Sequence, residues 1–142
     1  MKSLWWIAAI VAALLIGVGV LGLSNMGRMG YSRTGSGADT VAVSLREFKI
    51  AASQTTFKVG RTYTFAATND GKLEHELVLE PDGAVDQALT AGGKVAEADD
   101  IAPGQTKTLT WTFTAPGRYQ LACHKPGHFQ RGMVFAPILV TA

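Results

Sequence analysis

Side chains able to bind a soft metal ion are concentrated near the C-terminus. The segment CHKPGHFQRGM (residues 123–133) places a thiol at Cys123, an imidazole at His128 and a thioether at Met133, with four residues between each one and the next. A second imidazole, His75, lies upstream in the segment LEHELVLE. Two histidines, one cysteine and a weak axial methionine suit copper, because the sulfurs favour Cu(I) and the imidazoles accept both oxidation states.

Each of these residues has a simpler interpretation when it is taken alone. A single cysteine is more often a buried structural residue, and a histidine or methionine on an apolar face is more often part of the core. The joint pattern is more specific, because it uses the only cysteine and two of the three histidines. Zinc is the main rival metal, but a structural zinc site prefers more thiolates or imidazoles and does not need a thioether. The sequence therefore predicts one copper ion per chain.

Alternating apolar residues predict the strands that position these ligands. In TKTLTWTFT (residues 106–114) Leu109, Trp111 and Phe113 share one face and the threonines share the other, which is typical of a half-buried strand. Turn-forming pairs such as Pro103-Gly104 and Pro116-Gly117 separate the strand candidates. The other candidates are residues 41–45, 48–51, 56–59, 62–67, 74–79, 118–122 and 134–141. Seven or eight short strands predict an all-β, Greek-key β-sandwich, with residues 83–100 as a loop containing at most a short helix.

The same alternation predicts where the ligands point. Cys123 has the parity of Leu121, and His75 has the parity of Leu77, so both should face the core. Glu76 and Glu80 fall on the face opposite His75. His124 has the opposite parity to Cys123 and is predicted to be exposed.

Residues 101–140 (IAPGQTKTLTWTFTAPGRYQLACHKPGHFQRGMVFAPILV) resemble the C-terminal half of cupredoxins, the type 1 blue copper proteins. The ligand loop is similar to that of rusticyanin and related bacterial blue copper proteins, and NDGKLEHELVLE resembles their first-ligand strand. The resemblance implies that His75 and His128 are imidazole ligands, Cys123 the thiolate and Met133 the axial ligand. It also implies that electrons leave through His128.

Two positions depart from that family pattern. Many relatives have Asn or Ser directly after the first histidine, where it helps to tie the ligand strands together, whereas this chain has Glu76. His124 directly after the cysteine is also unusual among such proteins.

The N-terminal region has a different character. Residues 4–23 carry no charge and would span about 30 Å as a helix, which matches the hydrocarbon core of a bilayer. We therefore predict a membrane anchor, or alternatively a signal peptide, over residues 1–23. Residues 24–38 are rich in Gly and Ser and predict a flexible linker, which leaves residues 39–142 as the copper domain.

Charge excludes one class of function and suggests a docking surface. The whole chain has a net charge of +2, but from Asp39 onward ten basic residues meet eleven acidic ones, so nucleic-acid binding is not expected. Lys125 and Arg131 lie beside His128, and they suggest contact with an acidic rim on a partner.

Together these features predict an electron carrier rather than an enzyme, with no small-molecule substrate. Its expected partners are a c-type cytochrome or a terminal oxidase of the membrane, and its copper domain is expected on the exported side. Copper delivery or storage is the alternative, followed by a mononuclear copper redox enzyme.

Overall fold

Strands form along most of the segments in which apolar and polar residues alternate. The structure is a computed structural model that describes residues 38–142. Its strands are β1 Asp39–Arg46, β2 Lys49–Ala52, β3 Thr56–Lys58, β4 Thr62–Asn69, β5 His75–Pro81, β6 Thr90–Ala91, β7 Lys94–Val95, β8 Glu97–Ile101, β9 Thr106–Thr112, β10 Gly117–Ala122 and β11 Val134–Thr141. A single 3-10 turn, Phe129–Arg131, lies between β10 and β11.

The strands form two packed sheets and one small hairpin. The first sheet has the order β2-β1-β4-β9, the second has the order β3-β11-β10-β5-β8, and β6 pairs with β7 alone. β1 runs parallel to β4 and β3 parallel to β11, whereas the other paired strands are antiparallel. The predicted two-sheet, all-β sandwich is therefore confirmed for the described residues.

The core lies between the two sheets and is built from the residues that alternation selects. Phe57 is at its centre, with its ring centroid 4.8 Å from that of Tyr63 and 5.6 Å from those of Phe65 and Phe113. Burying a large apolar side chain of this kind contributes about 1.5–3 kcal/mol. Cys123 and Met133 belong to the same cluster of buried side chains, so the core extends directly to the predicted copper ligands.

The predicted loop over residues 83–100 is wrong in detail. It contains β6, β7 and β8 and no helix. β6 and β7 meet at Gly92-Gly93, where both residues have a positive φ that favours glycine. β8 pairs with β5 at the edge of the second sheet and buries Ala98 and Ile101.

A covering segment, residues 83–89, crosses the outer face of β5 and β10. The backbone N–H of Gly83 donates to Oε1 of Gln120 (2.9 Å), and the N–H of Gln87 donates to Oε2 of Glu80 (2.9 Å). The first six residues of β5 are all buried. The face of β5 opposite His75 is therefore covered instead of open to water.

Within residues 38–142, no helix has the length and apolar character that crossing a bilayer requires. The predicted anchor, residues 1–23, and residues 24–37 of the predicted linker lie outside the described part of the chain.

Candidate metal centre

The turn before β5 sets the position of His75. Asn69 is fully buried at the end of β4, and its side-chain amide donates to the carbonyls of Leu73 (2.7 Å) and Ile101 (2.8 Å). Its Oδ1 accepts from the N–H of Gly71 (2.9 Å). These bonds fix the turn over residues 69–73, so that His75 enters β5 with its side chain fully buried.

Backbone hydrogen bonds close the loop from Cys123 to Met133. The N–H of Cys123 donates to the carbonyl of Met133 (3.1 Å), and the N–H of Met133 donates to the carbonyl of His128 (3.2 Å). Gly127 and Gly132 have backbone φ angles of +80° and +88°, which residues other than glycine rarely adopt. The three predicted ligands of this loop are therefore held together by the main chain.

The structure brings three predicted ligands into one group. Nδ1 of His75 lies 3.2 Å from Nδ1 of His128, which in turn lies 3.3 Å from Sγ of Cys123. The three atoms all lie within 4.8 Å of one another. Met133 is fully buried in the same cluster of side chains as Cys123, and its backbone is hydrogen-bonded to Cys123 and His128.

Burial favours the neutral form of both imidazoles and the protonated form of the thiol. The pKa of His75 is lowered mainly by burial and then by repulsion from His128, and the pKa of His128 is lowered mainly by burial and then by Arg131. Burial is also the main cause that raises the pKa of the Cys123 thiol. Each neutral imidazole therefore has a ring nitrogen with a lone pair that can bind a metal, and metal binding at the Cys123 sulfur displaces a proton. Two imidazole nitrogens, which are borderline donors, and one soft thiolate sulfur fit copper.

Comparison with known proteins settles the family. The sequence model described as "Copper binding proteins, plastocyanin/azurin family" matches residues 35–140. The chain belongs to this family. Its cofactor is copper, in agreement with the grouped donors of His75, Cys123 and His128.

Two further comparisons give relatives of this cupredoxin. The copper-resistant cuproprotein CopI of Rubrivivax gelatinosus is 33% identical over 115 residues, covering 73% of this chain and 70% of the relative. CopI of Pseudomonas aeruginosa is 31% identical over 113 residues, covering 54% of this chain and 62% of the relative. Among solved structures, auracyanin A of Chloroflexus aurantiacus has a TM-score of 0.58 at 21% identity, covering 74% of this chain and all of the other. Reduced auracyanin of Roseiflexus castenholzii has a TM-score of 0.56 at 23% identity, covering 75% of this chain and all of the other. At this identity the auracyanins support the fold alone.

Glu76 ties the two ligand segments of this cupredoxin together. Its Oε1 accepts a 2.5 Å hydrogen bond from the N–H of His124, the residue after Cys123. The departure from the family's Asn or Ser therefore preserves the link between β5 and the ligand loop. Glu76 is buried, and this burial raises the pKa of its carboxyl.

His124 is not exposed, contrary to the prediction. Alternation correctly places it opposite Cys123, but residues 83–89 cover that face and leave only 9% of the side chain accessible. Its Nε2 lies 3.0 Å from Oε1 of the fully buried Glu80, and its ring stacks on Phe129 at a centroid distance of 4.7 Å. The N–H of Asp86, in the covering segment, also approaches this nitrogen at 3.2 Å.

Lys125 differs from its predicted role as a positive charge open to a partner. Its Nζ lies 2.7 Å from Oδ1 of Asp100, 2.8 Å from Oδ1 of Asp99 and 3.1 Å from Oε1 of Glu74. Hydrogen bonds to Asp100 and then Asp99 raise the pKa of its ammonium group. Three carboxylates of the same chain therefore already surround this charge.

Two residues beside the site were not singled out from the sequence. Phe48 places its ring edge-on to His128 at a centroid distance of 5.2 Å, and the guanidinium of Arg131 lies 4.6 Å from the Phe48 ring centroid. Glu47 places Oε1 3.6 Å from Nε2 of His75. Both lie at the turn between β1 and β2, far from the ligand motif in sequence, so spacing alone carried no signal.

Proposed function

We propose that this chain transfers single electrons through one type 1 copper ion bound by His75, Cys123, His128 and Met133. The observation that carries the proposal is the buried group of two Nδ1 atoms and one Sγ, with neighbouring distances of 3.2 and 3.3 Å. Two imidazoles and one thiolate are the donors of blue copper, and the buried Met133 would add a weaker sulfur donor.

Bound copper supplies a centre that gains and loses one electron. The protein contributes rigidity and the exclusion of water. His75, Cys123 and Met133 are fully buried, and backbone bonds close the ligand loop. Ligands held in this way move little when the charge of the metal changes, which favours transfer over chemistry on a substrate. We therefore propose a carrier and not an enzyme.

His128 is the proposed exit for the electron. It is the most accessible of the four ligands, with 7% of its surface exposed, while Pro126 and Gly127 beside it are exposed. The partly buried ring of Phe48 packs edge-on against it. A small exposed surface of this kind suits brief contact with a redox partner.

We also propose the cellular setting that the sequence suggests. Residues 1–23 anchor the chain in a membrane, residues 24–38 act as a tether, and the copper domain works on the exported side. The proposed partners are a c-type cytochrome or a terminal oxidase.

Spectroscopy and voltammetry of the full-length chain test this function. We expect the Cu(II) protein to show an intense visible sulfur-to-copper band, a type 1 EPR signal and a reversible one-electron wave. Cys123→Ser should lose the band, because the sulfur donor is removed. A wild-type chain that binds copper without that band, or a catalytic current with oxygen or nitrite, would contradict the proposal.

Copper handling is the second candidate function, because two of the relatives named above are copper-resistant cuproproteins. The two functions differ in how tightly the ion is kept. A delivery or storage protein should release copper to a competing chelator within seconds to minutes and should protect cells against added copper. A carrier with an enclosed site should exchange electrons rapidly while keeping its metal.

A further inference from the structure

One nitrogen of the proposed copper site lacks a hydrogen-bond partner. Within residues 38–142, Nε2 of His75 is the buried side-chain polar atom without one. The carboxylate of Glu47 faces it, with Oε1 at 3.6 Å. This separation exceeds a hydrogen bond, but a negative charge at this distance still acts on the ring through space.

The protonation of His75 follows from its position. Its Nδ1 is the atom that faces His128 and Cys123, so Nδ1 must present a lone pair to bind a metal. A neutral imidazole has a single N–H, which is therefore on Nε2 and is directed to the side of Glu47.

The turn before β5 holds the Glu47 carboxylate in place. Its Oε1 accepts from the N–H groups of Lys72 (2.5 Å) and Leu73 (2.6 Å). Two N–H donors directed at one carboxylate oxygen stabilise the charged form of Glu47 and fix its orientation. Gly71 leaves the necessary space, because a Cβ at that position would lie 2.5 Å from the same oxygen.

We propose that Glu47 is a positioning residue for His75 and that its fixed negative charge favours the oxidised state of the copper site. A carboxylate beyond a metal-bound histidine orients the ring and increases the electron density at the binding nitrogen. That effect stabilises Cu(II) more than Cu(I), because the oxidised ion carries the larger charge. This inference rests on the copper site proposed above.

Replacement by the isosteric amide tests the role of the charge. In Glu47→Gln the amide oxygen can still accept from Lys72 and Leu73, so the turn should be retained. We expect the equilibrium between the two oxidation states to shift about tenfold toward Cu(I), which is about 59 mV in midpoint potential for a one-electron couple. Affinity for Cu(II), measured separately by chelator competition, should fall more than affinity for Cu(I).

Asp70→Asn provides the matched control. Asp70 lies in the same turn, and its Oδ2 accepts from the hydroxyl of Ser44 (2.6 Å), so the variant removes one negative charge without touching His75. We expect its potential to shift by less than about a third of the Glu47→Gln shift. Equal shifts in the two variants would show a general charge effect and would overturn the proposal.

The remaining outcomes separate this inference from the proposed function. Thermal unfolding of the metal-free Glu47→Gln chain should match wild type within a few degrees, which confirms that the variant folds. A wild-type visible band together with an unchanged Glu47→Gln potential would overturn the inference alone. A wild type without that band would overturn the copper site itself.

Discussion

The outer faces of the two sheets use polar residues in opposite ways. On the first sheet, threonines of β4 and β9 pair through their hydroxyls at the surface, as in Thr62 with Thr112 (2.8 Å) and Thr68 with Thr106 (2.8 Å). On the second sheet, Glu76, Glu80 and Gln120 are buried and hydrogen-bonded within the protein, and the covering segment bonds to Glu80 and Gln120. The polar groups that support the copper site have thus lost contact with water, whereas those of the first sheet keep it. Loss of a partner should be costly only in the second case.

Removal of the buried Glu80 carboxylate should have the largest effect on stability. It accepts from the side-chain amide of Gln120 (2.7 Å) and the N–H of Gln87 (2.9 Å), and it contacts His124. Glu80→Ala removes the acceptor of these hydrogen bonds at a fully buried position, so the free energy of unfolding should fall by about 3 kcal/mol. Urea unfolding measures this loss, and Glu80→Gln, which keeps one acceptor, should lose less. A decrease below about 1 kcal/mol would remove the distinction between the two faces.

Replacement of Lys125 should have an effect on stability between those of the buried and the surface polar groups, because Lys125 is largely buried while its acidic partners are exposed. Lys125→Met should lower the free energy of unfolding by about 1 kcal/mol at neutral pH and low salt. The loss is small because water and dissolved ions weaken exposed ion pairs. Hydrogen bonding to Lys125 lowers the pKa of Asp99 from 3.8. A lowered carboxyl pKa adds stability that is complete above pH 3.8 and is lost as the pH falls through the folded-state value. The difference between wild type and variant should therefore shrink below pH 4 and in high salt. A difference that persists in acid would mean that packing, not charge, holds this residue.

Threonine pairs on the first sheet should matter least. Thr62→Val together with Thr112→Val keeps β-branched side chains and removes only hydroxyls that water can replace. The free energy of unfolding should change by about 0.5 kcal/mol or less, and the copper potential should stay the same. A loss comparable to that of Glu80→Ala would contradict the comparison.

The sequence was informative where structure depends on local pattern. Alternation in β4 and β9 was sufficient because one face of each is open to water. The ligand loop was recognisable because Cys123, His128 and Met133 are close in sequence and belong to rare residue types.

The errors have a shared physical origin in tertiary contacts. β8 reads EADDI, which has no regular alternation, and β6 and β7 have two residues each, so none of them carried a periodic signal. The burial of His124 depends on residues 83–89, which show no strand-like alternation and are joined to β5 and β10 by hydrogen bonds to Glu80 and Gln120. The approach of Glu47 to His75 joins residues 28 positions apart through a turn whose shape depends on Asn69.

The edges of the two sheets have a consequence for behaviour at high concentration. β2 and β3, one edge from each sheet, have only four and three residues. β8, an edge strand, carries Glu97, Asp99 and Asp100, and Lys107 of the edge strand β9 donates from Nζ to the carbonyl of Asp99 (2.7 Å). Short or charged edges give another chain little backbone with which to extend the sheet. Molecules crowded side by side should therefore resist fibril-like association and remain separate.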